Sequence, residues 1–170
     1  MISETMMLER FRDGYDFPPL FVRLSEAGKD DRLDALLEVS SADKTYQFDA
    51  EFKSRSSPRA FEEAMSRIEQ TPRRPGRLPM IVLPYLRENQ LNKLQERQVS
   101  GLDLSGNGVV IVPNKLLVLR TGNANRFPDS APTKYAYRGT TSLVSRAFLC
   151  RAEYDSLADI EREVKSRGGV

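Results

Sequence analysis

The chain has 170 residues, of which 39% are hydrophobic and 29% charged, the composition of a globular protein with one domain or a domain plus an appendage. It has no histidine and one cysteine, Cys150, which excludes histidine-based triads, Cys–His nucleophiles, imidazole zinc sites and an internal disulfide. Any chemistry must then rest on carboxylates, lysines, hydroxyls or amides, and such groups favour hard cations such as Mg²⁺.

The charged side chains are unevenly distributed along the chain. Residues 1–51 hold 6 basic and 12 acidic side chains, whereas residues 52–170 hold 20 basic and 12 acidic ones. This division suits a phosphate-bearing partner that also needs a metal, although charge scattered over a solvated surface gives the same totals. The apolar runs are too short to span a membrane and the N-terminus is too charged for a signal peptide, so the sequence predicts a cytoplasmic protein.

The spacing of apolar and turn-forming residues predicts a mixed α/β order of elements. Ser3 is suited to begin a helix as its N-cap, and Ser57 followed by Pro58 is suited to begin another. In chain order, we expect a helix over 4–13, a strand over 21–24, a loop over 26–31, strands over 32–40 and 45–53, a helix from 57 that ends by 71–75, a strand over 78–86, a helix over 87–98, strands over 101–105, 109–112 and 116–119, and helices over 141–150 and 156–165.

The strands over 32–40 and 45–53 read as a β-hairpin that gathers polar side chains on one face. Glu51 and Lys53 are two residues apart, so both leave the sheet on the same side. If the turn contains two residues, Asp34 lies across from Glu51 or Lys53 on that side, whereas a three-residue turn would break this unless a bulge restored the phase.

Two carboxylates and an ammonium group on one face can cleave a phosphodiester. The carboxylates bind a divalent cation, which makes a bound water more acidic and neutralises charge on the phosphate. The lysine can orient or deprotonate that water, or stabilise the transition state. The alternative is a solvent-facing ladder of alternating charges, which is common on strands.

The hairpin resembles the restriction-endonuclease-like superfamily, which is named for its PD-(D/E)XK signature. The residues that carry the resemblance are Arg32-Leu33-Asp34-Ala35-Leu36-Leu37-Glu38-Val39 and Ala50-Glu51-Phe52-Lys53-Ser54-Arg55. The resemblance implies an α/β fold, a mixed sheet flanked by helices, in which Asp34, Glu51 and Lys53 form the active site on a hairpin followed by a helix. It also implies that Asp34 and Glu51 bind Mg²⁺ or Mn²⁺ and that DNA is the partner. Leu33 stands where the signature has proline, which makes the match less specific.

A second resemblance covers the chain from about Leu33 to its C-terminus. The segments that carry it are Leu83-Pro84-Tyr85-Leu86, Gly101-Leu102-Asp103-Leu104-Ser105-Gly106-Asn107 and Asn125-Arg126-Phe127-Pro128. They are similar to a prokaryotic group that joins a nuclease-like domain to a C-terminal winged helix, some members resembling abortive-infection antitoxin regulators. The implied organisation is a nuclease-like core over 1–122, a linker or ordered loop over 123–139 and a helical extension over 140–170. The chain ends before a recognition helix, so we expect a truncated winged helix of a longer protein, or helices that pack on the core or mediate a homodimer.

Other polar residues are further candidates. Gln70 ends the helix after the Glu51 strand, where some superfamily members place a functional glutamine, although a polar residue at a helix end needs no function. The arginines expected to contact the DNA backbone are Arg55, Arg59, Arg73 and Arg74. The segment 103–108 reads as a strand end followed by a tight turn that needs a positive φ.

The leading hypothesis is a Mg²⁺-dependent DNA endonuclease domain in which Asp34 and Glu51 hold the ion and Lys53 assists the water or the transition state. The alternative is a DNA-binding or regulatory module of the same fold with a vestigial site, because members of the superfamily often lose the metal site. A third reading is an interaction domain with no nucleic-acid role, whose mark is the absence of salt-dependent affinity for DNA.

Overall fold

The computed structural model describes residues 2–25, 33–42, 44–128 and 156–167, and the chain divides into two compact units, Met1–Asp129 and Ser130–Val170. The elements of the first unit are α1 (Glu4–Arg12), β1 (Tyr15–Phe17), β2 (Leu20–Leu24), β3 (Ala35–Ser41), β4 (Lys44–Phe52), α2 (Pro58–Gln70), β5 (Arg77–Leu83), α3 (Glu88–Glu96), β6 (Ser100–Asp103), β7 (Gly108–Val112) and β8 (Leu116–Arg120). In the second unit the described helix is α4, Leu157–Arg167.

The eight strands form one mixed sheet in which spatial order follows chain order from β1 to β8. The β4–β5 and β5–β6 pairs are parallel, and α2 and α3 form the two crossovers that parallel neighbours require. All other neighbouring strands pair antiparallel. The prediction of an α/β protein with a mixed sheet flanked by helices is confirmed.

The sheet packs on both faces because its strands alternate or are apolar throughout. In β4, Phe48, Ala50 and Phe52 face the cluster that contains Met7 and Phe11 of α1. The opposite face packs against α2 and α3. The buried residues that α2 contributes to this second cluster are Phe61, Ala64, Met65 and Ile68, which is the apolar stripe that helical spacing predicts.

The sheet is curled, so that its first strands contact strands near its far end. The Tyr15 hydroxyl donates to the backbone oxygen of Asp103 over 2.6 Å, which ties β1 to the end of β6. Arg120 in β8 donates from Nη1 to Pro18 O over 3.2 Å, and its guanidinium lies 5.4 Å from the centroid of the Phe17 ring. The β1–β2 turn is thereby held against the edge strand β8.

The turn between β6 and β7 is buried, and its polar groups hydrogen-bond to the Asp103 carboxylate. Both carboxylate oxygens of Asp103 accept hydrogen bonds, and the four donors are Leu86 N, Ser105 N, Asn107 N and Asn107 Nδ2, at 2.8–2.9 Å. Gly106 has φ of +99°, so the expected positive-φ turn is present. Asn123 donates from its backbone N–H to Asn107 Oδ1 over 2.8 Å, so the start of the predicted linker belongs to the first unit and is bonded to the β6–β7 turn.

Element bounds agree with the sequence prediction to within a few residues, with two differences. The three-residue β1 was not predicted, because Tyr15 and Phe17 give one period of alternation before two prolines. The predicted strand over 78–86 ends at Leu83, before Pro84. The predicted loop over 26–31, most of the linker, the helix over 141–150 and Cys150 lie outside the described residues. In the described part of the chain, no helix is both long and apolar enough to cross a bilayer.

Candidate functional site

The β3–β4 hairpin has the two-residue turn that brings Asp34 to the Glu51 side of the sheet. Ser41 pairs with Lys44, and the register continues without a bulge to the first residue of β3, Ala35. One further pair along this register sets Asp34 opposite Glu51. The hairpin therefore has the two-residue turn for which the sequence places Asp34 and Glu51 on the same side of the sheet.

Asp34 is fixed at the end of the hairpin by the backbone of the opposite strand. Its Oδ2 accepts a hydrogen bond from the backbone N–H of Phe52 over 2.8 Å. Because Phe52 directly follows Glu51, this bond holds the Asp34 carboxylate beside that of Glu51. The Asp34 charge contributes to raising the pKa of Glu51, so the two carboxylates interact electrostatically.

Glu51 is the buried centre of the site, with 1% of its side chain exposed. Its Oε1 accepts a hydrogen bond from Lys53 Nζ over 2.7 Å. Arg67 Nε lies 3.0 Å from Oε2 but is not aligned to donate, and Oε2 has no hydrogen-bond partner among the described residues. Burial raises the pKa of Glu51 above its usual value, the Asp34 charge adds to this, and Lys53 and Arg67 act against it.

Lys53 lies between this buried carboxylate and the solvent. Its backbone N–H donates to Val82 O over 3.0 Å, which attaches the residue to β5 just beyond the end of β4. Its side chain is 24% exposed, so the ammonium contacts Glu51 and still reaches the surface. This position allows Lys53 to donate to a ligand that binds over Glu51.

Arg67 belongs to the site through a contact with Glu51 that the sequence did not predict. It is half-exposed on α2, at the edge of the stripe formed by Ala64 and Ile68. Side chains of β4 that alternate with Phe52 leave on the α2 face, so an arginine at the border of that stripe can reach Glu51. The contact between Arg67 and Glu51 could have been predicted by combining the alternation of β4 with the apolar stripe of α2.

The other predicted site residues are Gln70 and four arginines. Gln70 is exposed, and its amide donates to Ser66 of the same helix over 2.8 Å, so no contact with Glu51 supports its predicted role. Arg59 pairs with Glu63 one turn along α2 over 2.8 Å. The remaining predicted DNA contacts are exposed Arg55 and Arg73 and half-buried Arg74.

The residues present fit one hard cation. In the described ranges no three acidic or cysteine side chains cluster to form a complete protein cage for a metal. Mg²⁺ does not need one, since it commonly binds through one or two carboxylates and completes its shell with water and substrate phosphate. Glu51 Oε2 is a buried oxygen without a hydrogen bond whose ion-pair partner is the half-exposed Arg67, so a cation that binds there would take over that contact.

Comparisons with known proteins do not identify a relative. No family model matches the chain, and neither the curated proteins nor the solved structures contain a match.

Proposed function

We propose that the protein is a metal-dependent DNA endonuclease-like domain of the restriction-endonuclease-like fold, acting on phosphodiester bonds in the cytoplasm. The observation that carries the proposal is the Glu51 carboxylate, buried beside Asp34, bonded to Lys53 through one oxygen and without a hydrogen bond at the other. A hairpin that bears these residues and continues into a helix is also the arrangement that the superfamily resemblance implies.

Each residue has a distinct part in the proposed reaction. Asp34 and Glu51 would hold Mg²⁺ or Mn²⁺, which when bound supplies Lewis-acid polarisation of the phosphate and of the attacking water. Lys53 donates a hydrogen bond toward the phosphate and stabilises the negative charge that develops there. Arg67, half-exposed and next to Oε2, adds a second positive charge on the same side.

A second candidate function is a DNA-binding module that has kept the fold without the chemistry. The observation in its favour is that Glu51 already has two cationic neighbours, Lys53 and Arg67, so its charge is offset without a metal. In that case the arginines predicted to contact the DNA backbone would bind DNA, and the carboxylates would serve the structure alone.

Cleavage and metal binding measured together decide between these functions. Supercoiled, linear and single-stranded DNA would be incubated with the full chain and Mg²⁺ or Mn²⁺. We expect cleavage that falls by roughly a hundredfold or more in Glu51→Gln and Lys53→Met, on the scale of losing a transition-state contact. Glu63→Gln is the matched control, because Glu63 is exposed and pairs with Arg59.

Two results would count against the nuclease. DNA left uncut with both ions, together with no binding of Mn²⁺ by calorimetry, rejects the metal site. Gel shifts of equal strength in the wild type, Glu51→Gln and Lys53→Met, without cleavage, favour the binding module.

A further inference from the structure

Three arginines surround the buried Tyr15 hydroxyl at the contact between β1 and β6. This arginine cluster consists of Arg10 in the last turn of α1, Arg120 in β8 and Arg126 in the segment that follows β8. Burial and the Asp103 charge raise the pKa of Tyr15, and all three guanidinium charges act against this rise. Each arginine is therefore within electrostatic reach of the same hydroxyl.

Aromatic rings hold two members of the arginine cluster in place. The Arg120 guanidinium lies 5.4 Å from the centroid of the Phe17 ring at the end of β1. The Arg10 guanidinium lies 5.9 Å from the centroid of the Phe127 ring, and Arg126 is the residue before that phenylalanine. A ring face attracts a cation but does not cancel its charge. The cluster is thus positioned by contacts that leave it positively charged.

The positive charge of the cluster is not offset by an ion pair. In the described ranges, no carboxylate pairs with any of its three members. The arginines that do pair with a carboxylate there are Arg23, Arg59, Arg67, Arg77, Arg97 and Arg162. Asp103 is fully buried, and its carboxylate already accepts four hydrogen bonds. Arg10 and Arg126 are exposed, so the cluster presents positive charge that attracts an anionic partner.

The cluster lies at the same end of the sheet as the candidate site. In the parallel register of β4, β5 and β6, Lys53 comes level with Leu83, which pairs with Asp103. Two strand spacings, about 10 Å, separate Lys53 from Asp103, whose backbone oxygen accepts the Tyr15 hydroxyl. This distance corresponds to roughly three nucleotide steps of about 3.4 Å along a duplex. A DNA strand that passes Lys53 can therefore reach the arginines around Tyr15.

We propose that the arginine cluster is a contact surface for the phosphate backbone of the DNA that the candidate site would bind. The inference rests on the proposed function and names the surface that holds the substrate beside the reacting phosphate. Guanidinium groups suit phosphate because they are permanently charged and donate hydrogen bonds in a planar fork. Such contacts give affinity and orientation without reading the base sequence.

The ligand chemistry is phosphate, which could belong to a nucleic-acid backbone or to a free anion. We assign the backbone because the three charges come from separate stretches of chain, α1, β8 and the segment after β8, and so suit several phosphates in a row. None of the four arginines that the sequence predicts to contact DNA belongs to this surface.

Binding of a fluorescein-labelled DNA duplex to the full chain in EDTA, measured by anisotropy over a range of salt concentrations, tests the surface. The variant is Arg10→Gln/Arg126→Gln, which keeps Arg120 because its Nη1 donates to Pro18 O. We expect binding to weaken roughly tenfold and the salt slope to fall by about two, in proportion to the two lost charges. An affinity and a slope equal to those of the wild type would overturn the proposal.

The matched control is Arg23→Gln/Arg97→Gln. It also removes two positive charges from exposed arginines, but these are paired with Glu38 and Glu69. The two variants have the same net charge, so a general effect of net charge would weaken both alike. We expect the control to change affinity by less than about twofold, because salt screens distant exposed charges. An equal loss in the two variants counts against the cluster.

A second variant, Arg10→Lys/Arg126→Lys, separates lost charge from lost structure. Lysine keeps the positive charge, so the salt slope should match that of the wild type. Affinity should fall less than in the glutamine variant, since only the planar fork is lost. If the lysine variant has the unfolding temperature of the wild type and still binds as weakly as the glutamine variant, the arginines do not act through their charge and the proposal fails.

Inorganic phosphate distinguishes the backbone from a free anion. If phosphate raises the unfolding temperature through Arg10 and Arg126 while duplex affinity does not depend on them, the backbone assignment is wrong. Because EDTA removes the cation, the binding test is independent of cleavage. Binding that depends on these arginines, without cleavage under any ion, rejects the nuclease and keeps the contact surface. Cleavage with binding that does not depend on them rejects the contact surface alone.

Discussion

The Asp34 carboxylate accepts a backbone hydrogen bond and also carries a charge, and substitutions can separate these two contributions. Its Oδ2 satisfies the backbone N–H of Phe52, while its charge acts on Glu51. Removing the acceptor leaves a backbone donor without a partner at the end of the hairpin. Removing only the charge leaves that bond in place.

We predict that Asp34→Ala lowers the free energy of unfolding by about 1–2 kcal/mol, whereas Asp34→Asn lowers it by about half as much or less. Asparagine keeps an acceptor for Phe52 N–H but removes the carboxylate. Both variants should lose any stabilisation by Mn²⁺, because the ion needs the charge. Urea unfolding with and without Mn²⁺ measures both effects, and equal destabilisation by the two variants would show that the hydrogen bond is not the stabilising contact.

At this scale the sequence predicts relations within one hairpin better than relations between elements. The convergence of Asp34 and Glu51 follows from strand parity once the turn has two residues, and both facts are local. The contact of Arg67 with Glu51 depends on how α2 lies over β4, which local spacing does not determine. The exposure of Gln70 depends on the same packing.

The helix α2 brings a positive charge to a carboxylate that the sheet has buried. Arg67 reaches Glu51 from the edge of the apolar stripe, while Arg59 on the same helix points to solvent and pairs with Glu63. The two arginines thus share one helix and differ in what they contact. This difference provides a controlled comparison.

We predict that Arg67→Met lowers the free energy of unfolding by about 1 kcal/mol in EDTA, since it leaves buried Glu51 with one cationic neighbour fewer. Added Mn²⁺ should then raise the unfolding temperature more than it does in the wild type, because the ion replaces the missing charge. Arg59→Met is the control and should change stability by less than about 0.5 kcal/mol. If both variants respond alike to Mn²⁺, Arg67 does not act on the metal site.

Among elements, length and regular alternation decide what can be read from sequence. β4 spans nine residues with apolar side chains at every second position from Tyr46 to Phe52, and α2 has both an N-cap and a continuous apolar stripe. β1 has only three residues and is stabilised by pairing with β2, so no local sequence pattern predicts it. The mixed sheet was predictable as a class, whereas its curl arises from contacts between distant elements.

At the scale of the whole molecule, polar contacts join β1 and the β1–β2 turn to β6 and β8 across the curl of the sheet. The Tyr15 hydroxyl is buried where it donates to Asp103 O. Burial, and after it the nearby Asp103 charge, raise the pKa of Tyr15 to about 12. The folded protein therefore keeps this proton at a pH where the unfolded chain has lost it.

We predict that the stability advantage of the wild type over Tyr15→Phe falls as the pH rises from about 10 to 12. At neutral pH the hydroxyl should contribute about 1 kcal/mol through its hydrogen bond. Above pH 10 the unfolded chain releases this proton, and its free energy falls relative to that of the folded protein. Wild-type stability therefore decreases by about 2–3 kcal/mol by pH 12. Urea unfolding of both proteins across this range cancels the other titrating groups, and a constant difference would contradict the prediction.

The separation of these contacts along the chain has a consequence for chain entropy. The bond between Asp34 and Phe52 closes a loop of 18 residues, whereas that between Arg120 and Pro18 closes one of 102. Loop-closure entropy grows with the logarithm of length, so the longer closure costs about 1.5 kcal/mol more. The residues of the candidate site are thus brought together by one of the shorter loops in the fold, and the curl around them by one of the longest.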